Sequence, residues 1–378
     1  MSLRIASWSL IVLYTGLLSV FSDGGLSSLS EKERKEYLHR SKVWHQTDIP
    51  NTNILAGPES EIAVPFDQQV TCQYVEPQSK PSGYAPKFMC RLSSGGQVVH
   101  VKYDTREVYG EVAGTRLLWS LGFFTDRNYA VKLRCLGCPE KNPFHPSQGE
   151  ARVERTINNA LIEQDFPGEI ANSHDEGWAW KELNDVDEKS GGSSKTEIDA
   201  LKLIAVFMQH MDSKHQQQRI GCYLEDIVRE GNKELCKRPV LMIQDLGETF
   251  GAGGANVSTT SSMNLEAWKS QRIWNQNKEA QYTADSGQRT CFGNLTSAQF
   301  ARDDGLFDPE ISEAGREFLA NLLNQLSDQQ ISDLFHAARA DKTGDTIIEN
   351  GIQRPVTIDD WVAAFKEKRQ EINEHRCG

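Results

Sequence analysis

Three short stretches of this chain hold residue types that could handle a phosphoryl group. His210-Met211-Asp212-Ser213-Lys214-His215-Gln216-Gln217 follows an apolar run, and Leu241-Met242-Ile243-Gln244-Asp245-Leu246-Gly247 reads as a strand ending in a turn. Lys102 stands earlier, in Val98-Val99-His100-Val101-Lys102-Tyr103. Phosphoryl transfer needs a cation on the nucleotide phosphates, oxygen ligands for magnesium, and a base that accepts or orients the acceptor hydroxyl. The chain supplies one candidate for each.

Strand alternation points Lys102 away from Val101 and Tyr103, and taken alone it resembles any exposed strand lysine. Glu111 raises its interest. It lies in Tyr109-Gly110-Glu111-Val112-Ala113, within a stretch apolar nearly all round that predicts a helix over 107–121 ending at Gly122. A carboxylate on a buried helix needs a positive partner, and Lys102 is the natural one. Glu107 is an alternative partner, and an exposed glutamate at a helix start is the ordinary reading of either.

The His-x-Asp-x-Lys-x-x-Asn loop of protein kinases matches at His210, Asp212 and Lys214, with Gln217 where Asn is expected. Segment 98–134 resembles the amino-terminal lobe of atypical kinases: the HipA toxin kinases, the secretory-pathway kinases of the Golgi casein-kinase type and, more distantly, the phosphatidylinositol kinases. Segment 198–251 resembles their carboxy-terminal lobe, and its Asp245-Leu246-Gly247-Glu248-Thr249-Phe250-Gly251 is similar to the Asp-Asn-Gly-x-x-Phe-Gly of the secretory kinases. The resemblance implies Lys102 on the phosphates of ATP, Glu111 orienting it, Asp212 as catalytic base, Lys214 near the transferred group and Asp245 on magnesium. His210 would be a packing residue of the loop. Gln217 would offer its carbonyl as a second metal ligand from a side chain one methylene longer than Asn, with Gln216 or Gln218 as substitutes if the register differs.

Two departures stand out. No Gly-x-Gly-x-x-Gly precedes Lys102, only a candidate turn at Ser93-Ser94-Gly95-Gly96. The stretch between the two Asp motifs is long for a protein kinase and carries Cys222 and Cys236, which could close it with a disulfide. The expectation is an ATP- and magnesium-dependent phosphotransferase with an unknown acceptor; the alternative is a nucleotide-binding pseudokinase acting as an interaction module. A metal hydrolase built on His210, Asp212 and His215 is disfavoured, because no further motif completes the ligand set and Lys214 would repel a dication.

The positioning elements read as α+β: a two-lobed, protein-kinase-like fold with a small antiparallel-sheet N-lobe and a mainly helical C-lobe. Strands are expected at 70–75, 87–92, 98–103 and 129–135. A buried helix over 198–211 leads into the Asp212 loop, and helices fill the last third. The expected divisions are 1–22 as signal peptide or membrane anchor, 23–66 as helix and linker, 67–190 as N-lobe and 191–378 as C-lobe.

The 378 residues, 38% hydrophobic and 25% charged, suffice for such a core. With 41 basic against 53 acidic residues the net charge is -12, and no dense basic stretch exists, which argues against nucleic acid as a partner. Arg4 followed by an apolar run to Phe21 has the layout of a secretory leader. The expected location is secreted or periplasmic; an uncleaved leader would instead associate the chain with a membrane. Eight cysteines suit export and disulfides. Cys135-Leu136-Gly137-Cys138 reads as a structural disulfide or inert thiols, ahead of a zinc half-site or a redox pair. Asn256-Val257-Ser258 and Asn294-Leu295-Thr296 fit glycosylation sequons. The sequence leaves the acceptor open among protein, lipid, sugar and small molecule.

Overall fold

Five strands and one helix build the unit that carries Lys102. They are β1 (Gln69–Val75), β2 (Lys87–Leu92), β3 (Val98–Tyr103), the helix α2 (Glu107–Leu121), β4 (Arg127–Pro139) and β5 (Arg152–Gln164). A short helix α1 (Glu31–Arg40), opened by a Ser30–Glu33 capping box, precedes them. The computed structural model describes residues 26, 29–60, 62–78, 83, 85–171, 177–231, 233–251, 262–278, 281–282, 289–295 and 305–377. The expected leader, the Asn256 sequon and Thr296 of the second sequon lie outside these residues.

The strands form a closed barrel in the order β1-β2-β3-β5-β4. All neighbours pair antiparallel except β1 and β4, whose parallel pairing closes the ring. The expected antiparallel sheet is thus a closed barrel with one parallel pairing. β5 escapes notice in the sequence because its first five residues, Arg152-Val153-Glu154-Arg155-Thr156, are mostly charged or polar and none of them is buried. Alternation sends Val99, Val101 and Tyr103 of β3, Ala160 and Ile162 of β5, and Tyr129, Val131 and Leu133 of β4 into the barrel interior. Leu161 and Ala130 belong instead to the cluster that includes Val108, Val112 and Leu117 of α2, so α2 covers one outer face. Lys102, paired in register with Leu161, faces the same way.

The remaining chain is less purely helical than expected. It runs through β6 (Gly168–Ile170), α3 (Lys195–Met208), β7 (Gln218–Tyr223), β8 (Ile227–Glu230), β9 (Lys233–Cys236), β10 (Val240–Ile243), α4 (Leu265–Ser270), β11 (Gln281–Tyr282), β12 (Arg289–Phe292) and β13 (Glu310–Ser312). Then follow α5 (Glu313–Asn324), α6 (Asp328–Ala337), β14 (Thr346–Glu349), β15 (Ile352–Pro355) and α7 (Ile358–Glu374). Two three-stranded sheets, β10-β7-β6 and β11-β12-β13, sit among the helices. Edge-to-face aromatic contacts fix the helical core, with ring centroids 4.9 Å apart for Phe207–Phe365 and 5.1 Å for Phe250–Trp268. Phe250 thus anchors the segment that begins at Asp245.

Every cysteine is paired: Cys72–Cys90, Cys135–Cys138, Cys222–Cys236 and Cys291–Cys377. The Cys135–Cys138 bond leaves neither a zinc half-site nor a free dithiol. Four disulfides fit an oxidising compartment, and no helix among the described residues is long and apolar enough to cross a membrane.

Cys291 and Cys377 are separated by 86 positions and tie the chain end to β12. Constraining so long a loop removes about 4–5 kcal/mol of unfolded-chain entropy by the chain-entropy model. The Cys291→Ser/Cys377→Ser double variant is expected to lose several degrees of Tm in a non-reducing thermal melt, and an unchanged Tm would contradict that contribution.

Candidate active site

A close contact between a helix face and a turn assembles the site. Gly110 and Gly114 lie one turn apart on α2 and leave a flat face against the Asp245 segment. A Cβ on Gly110 would stand 2.5 Å from the Gly247 carbonyl oxygen, and one on Gly114 would stand 2.9 Å from Leu246 Cβ. The Thr249 hydroxyl donates to the Gly110 carbonyl at 3.2 Å and to the Leu246 carbonyl at 2.8 Å, fastening the turn to the helix. This docking presents Asp245 to Lys102, whose partner Glu111 follows Gly110 directly.

Lys102 is 4% exposed. Its Nζ donates to Glu111 Oε2 at 2.7 Å and lies 3.7 Å from Asp245 Oδ1. Asn128 donates to the other Glu111 oxygen at 3.4 Å. Burial pulls an ammonium toward neutrality, but Asp245, Glu111 and Glu163 outweigh it and hold the Lys102 pKa well above the ordinary lysine value. Asp245 is raised by burial and lowered more by Lys102 and by the Gly247 N–H at 3.1 Å, so it stays below the usual carboxylate range. A fixed cation beside an ionised, partly exposed carboxylate is what a phosphate–metal pair requires.

Asp212 belongs to the same region, since its charge acts on Glu107 and Glu248 together with that of Asp245. α3 ends where Gln209 takes a left-handed conformation, φ 56°, which turns the chain out of the helix toward Asp212. Three backbone bonds join the two motif segments: Gln244 N–H to the Gln217 carbonyl at 2.9 Å, Met211 N–H to the Glu248 carbonyl at 3.0 Å, and Phe250 N–H to the Met208 carbonyl at 2.7 Å. The β7–β10 register, Gln218 opposite Ile243, continues this tie. The Asp212 carboxylate accepts from Lys214 Nζ and from Gln217 Nε2, each at 2.7 Å. Gln217, expected to offer its carbonyl to a metal ion, thus commits its amide nitrogen to Asp212.

His210 is fully buried, its ring nitrogens lack hydrogen-bond partners among the described residues, and burial lowers its pKa to about 4. It is a neutral packing residue. His210, Asp212 and His215 form no close ligand group among the described residues; the groups of that kind are built on the disulfide sulfurs, one with His375. The Ser93–Gly96 segment is the β2–β3 turn, with Gly95 and Gly96 at positive φ. Two cavities, about 400 and 650 Å³, include Trp274 and His375 in one lining and Val186 and Lys202 in the other, and neither takes in Lys102, Asp212 or Asp245.

Two further carboxylates crowd the site. Burial, then Asp245, pushes Glu107 to about 7. Burial, then Asp212, Glu107 and Asp245, pushes Glu248 to about 7. Glu107 entered the sequence reading only as a spare partner for Lys102, and Glu248 had no assigned role; its place beside Asp245 in the motif was the available signal.

No family model matches this sequence, and no curated protein matches it. Among solved structures, the crystal structure of a Helicobacter pylori proinflammatory kinase, CtkA, matches with a TM-score of 0.40 and 10% identity over 82% of this chain and 95% of that one.

The glycine face gives a direct test. Gly110→Ala gains up to ~1 kcal/mol of helix propensity but forces a contact against backbone, with an expected net loss of about 1–3 kcal/mol in denaturant unfolding. A variant as stable as the parent would refute the close docking of α2 on Gly247.

The acid cluster gives a second. Because the folded pKa of Glu248 lies above the ordinary value, its contribution to stability is fully present below about pH 4.5 and lost as the pH rises through about 7. Glu248→Gln should therefore gain roughly 2–4 °C of Tm over the parent between about pH 5 and pH 8. A Tm difference independent of pH would contradict this.

Proposed function

We propose that the chain is an atypical-kinase-like phosphotransferase that moves the γ-phosphoryl group of ATP to an acceptor hydroxyl. In this reading the barrel with α2 forms an N-lobe and the mainly helical remainder a C-lobe, with the nucleotide between them. The carrying observation is the convergence of Lys102, Glu111, Asp212 and Asp245 from distant parts of the sequence. Two of these, Lys102 and Glu111, are paired and buried, which is costly for a group without a task.

Lys102 holds nucleotide phosphates, and Glu111 keeps its ammonium extended toward them. Asp245, ionised and partly exposed, suits a magnesium ion, which when bound neutralises phosphate charge. Asp212 accepts the hydroxyl proton as the acceptor oxygen bonds to phosphorus and the bond from phosphorus to the ADP oxygen breaks. Lys214, on the Asp212 carboxylate, stands where the charge of the transferred group develops. The four disulfides support a secreted or periplasmic setting. A nucleotide-binding pseudokinase is the second reading, favoured by the absence of a glycine-rich phosphate loop before Lys102.

Binding and turnover separate the roles. Asp245→Ala should abolish magnesium-dependent ATP binding in calorimetry. Asp212→Asn should still bind ATP while transfer falls by roughly 100-fold or more. An Asp212→Asn protein as active as the parent would remove Asp212 from the mechanism, and a parent that binds ATP without turning it over would favour the pseudokinase.

A further inference from the structure

Both donors to the Asp212 carboxylate converge on one oxygen. Lys214 Nζ and Gln217 Nε2 each reach Oδ2 at 2.7 Å, whereas Oδ1 is buried without a hydrogen-bond partner among the described residues. An ammonium and an amide N–H can only donate, so Oδ2 is occupied on two sides and Oδ1 keeps its lone pairs. Gln217 is itself held at both backbone ends. Its N–H donates to the Lys214 carbonyl at 2.9 Å, closing the turn His215–Gln217, and its carbonyl accepts from Gln244, the residue before Asp245. One residue therefore touches the Asp212 carboxylate with its side chain and the Asp245 segment with its backbone.

From this we infer that Gln217 is a positioning residue for Asp212: it fixes the carboxylate through Oδ2 and couples its orientation to the Asp245 segment, and it does not serve as a metal ligand. The inference rests on the phosphotransferase reading. The chain has Gln where protein kinases have Asn because the amide must span from the turn to Asp212. Asn would fall short by one C–C bond, about 1.5 Å, enough to break a 2.7 Å contact. Lys214, Glu107, Glu248 and His210 are the other charged or titratable groups that interact with Asp212, and of these Glu248 belongs to the Asp245 segment itself.

Gln217→Glu discriminates the two roles, since it keeps length and oxygen, which a metal would accept, but deletes the N–H donor. The expected result is a fall in kcat of at least 10-fold, with ATP affinity and magnesium requirement within about twofold of the parent. Gln217→Asn should show the same split. A Gln217→Glu protein that keeps kcat or needs less magnesium would overturn the inference in favour of a metal ligand. A thermal-melt cycle on Asp212→Ala, Gln217→Ala and the double variant reads the contact without turnover. Non-additive Tm changes are expected; additive ones would overturn the contact even in an active enzyme. If the parent turns over no ATP while the cycle is non-additive, the phosphotransferase reading fails and the Gln217–Asp212 contact stands.

Discussion

A lysine ammonium held 4% exposed inside a protein must be compensated, and the compensation of Lys102 organises the site. Glu111 supplies the nearer charge and Asp245 the farther one. Removing either partner from such a buried arrangement typically costs about 3–5 kcal/mol, because the remaining charge is left without water. The chain meets this demand with ordinary means. Strand alternation turns Lys102 out of the barrel, the helix after it carries Glu111 back over that face, and a glycine next to Glu111 lets the Asp245 turn approach within backbone contact.

Charge balance also explains the crowding around the pair. Five carboxylates, Glu107, Glu111, Asp212, Asp245 and Glu248, share a region with Lys102 and Lys214. Burial among like charges pushes Glu107 and Glu248 to about 7, while Asp245 beside Lys102 is held low. The site thus keeps Asp245 ionised next to a fixed cation, and Glu107 and Glu248 respond to its charge.

The parts of this arrangement carried by short-range rules are legible in the sequence. The β3 strand, the α2 helix ending at Gly122 and the Lys102–Glu111 pairing follow from period-two alternation, an all-round apolar helix and the need to pair a buried carboxylate. The Asp212 and Asp245 stretches are visible as spaced residue types. What escapes is set by contacts between distant segments. The barrel closes through a parallel β1–β4 register that no local pattern encodes, and β5 hides behind a mostly charged and polar first half. Gly110 reads as a weak point in a helix until the Gly247 carbonyl appears against it. The direction of the Gln217 amide depends on a side-chain torsion, which spacing does not determine.

Lys102 and Asp245 are proposed to form one nucleotide site. A crystal structure with magnesium and a non-hydrolysable ATP analogue tests it most directly. The expected result is phosphate oxygens within hydrogen-bond reach of Lys102 Nζ, roughly 3 Å, and magnesium on the Asp245 carboxylate. A nucleotide seated elsewhere, for instance in the cavity lined by Arg272 and Trp274, with the Lys102–Glu111–Asp245 contacts unchanged and unliganded, would contradict it.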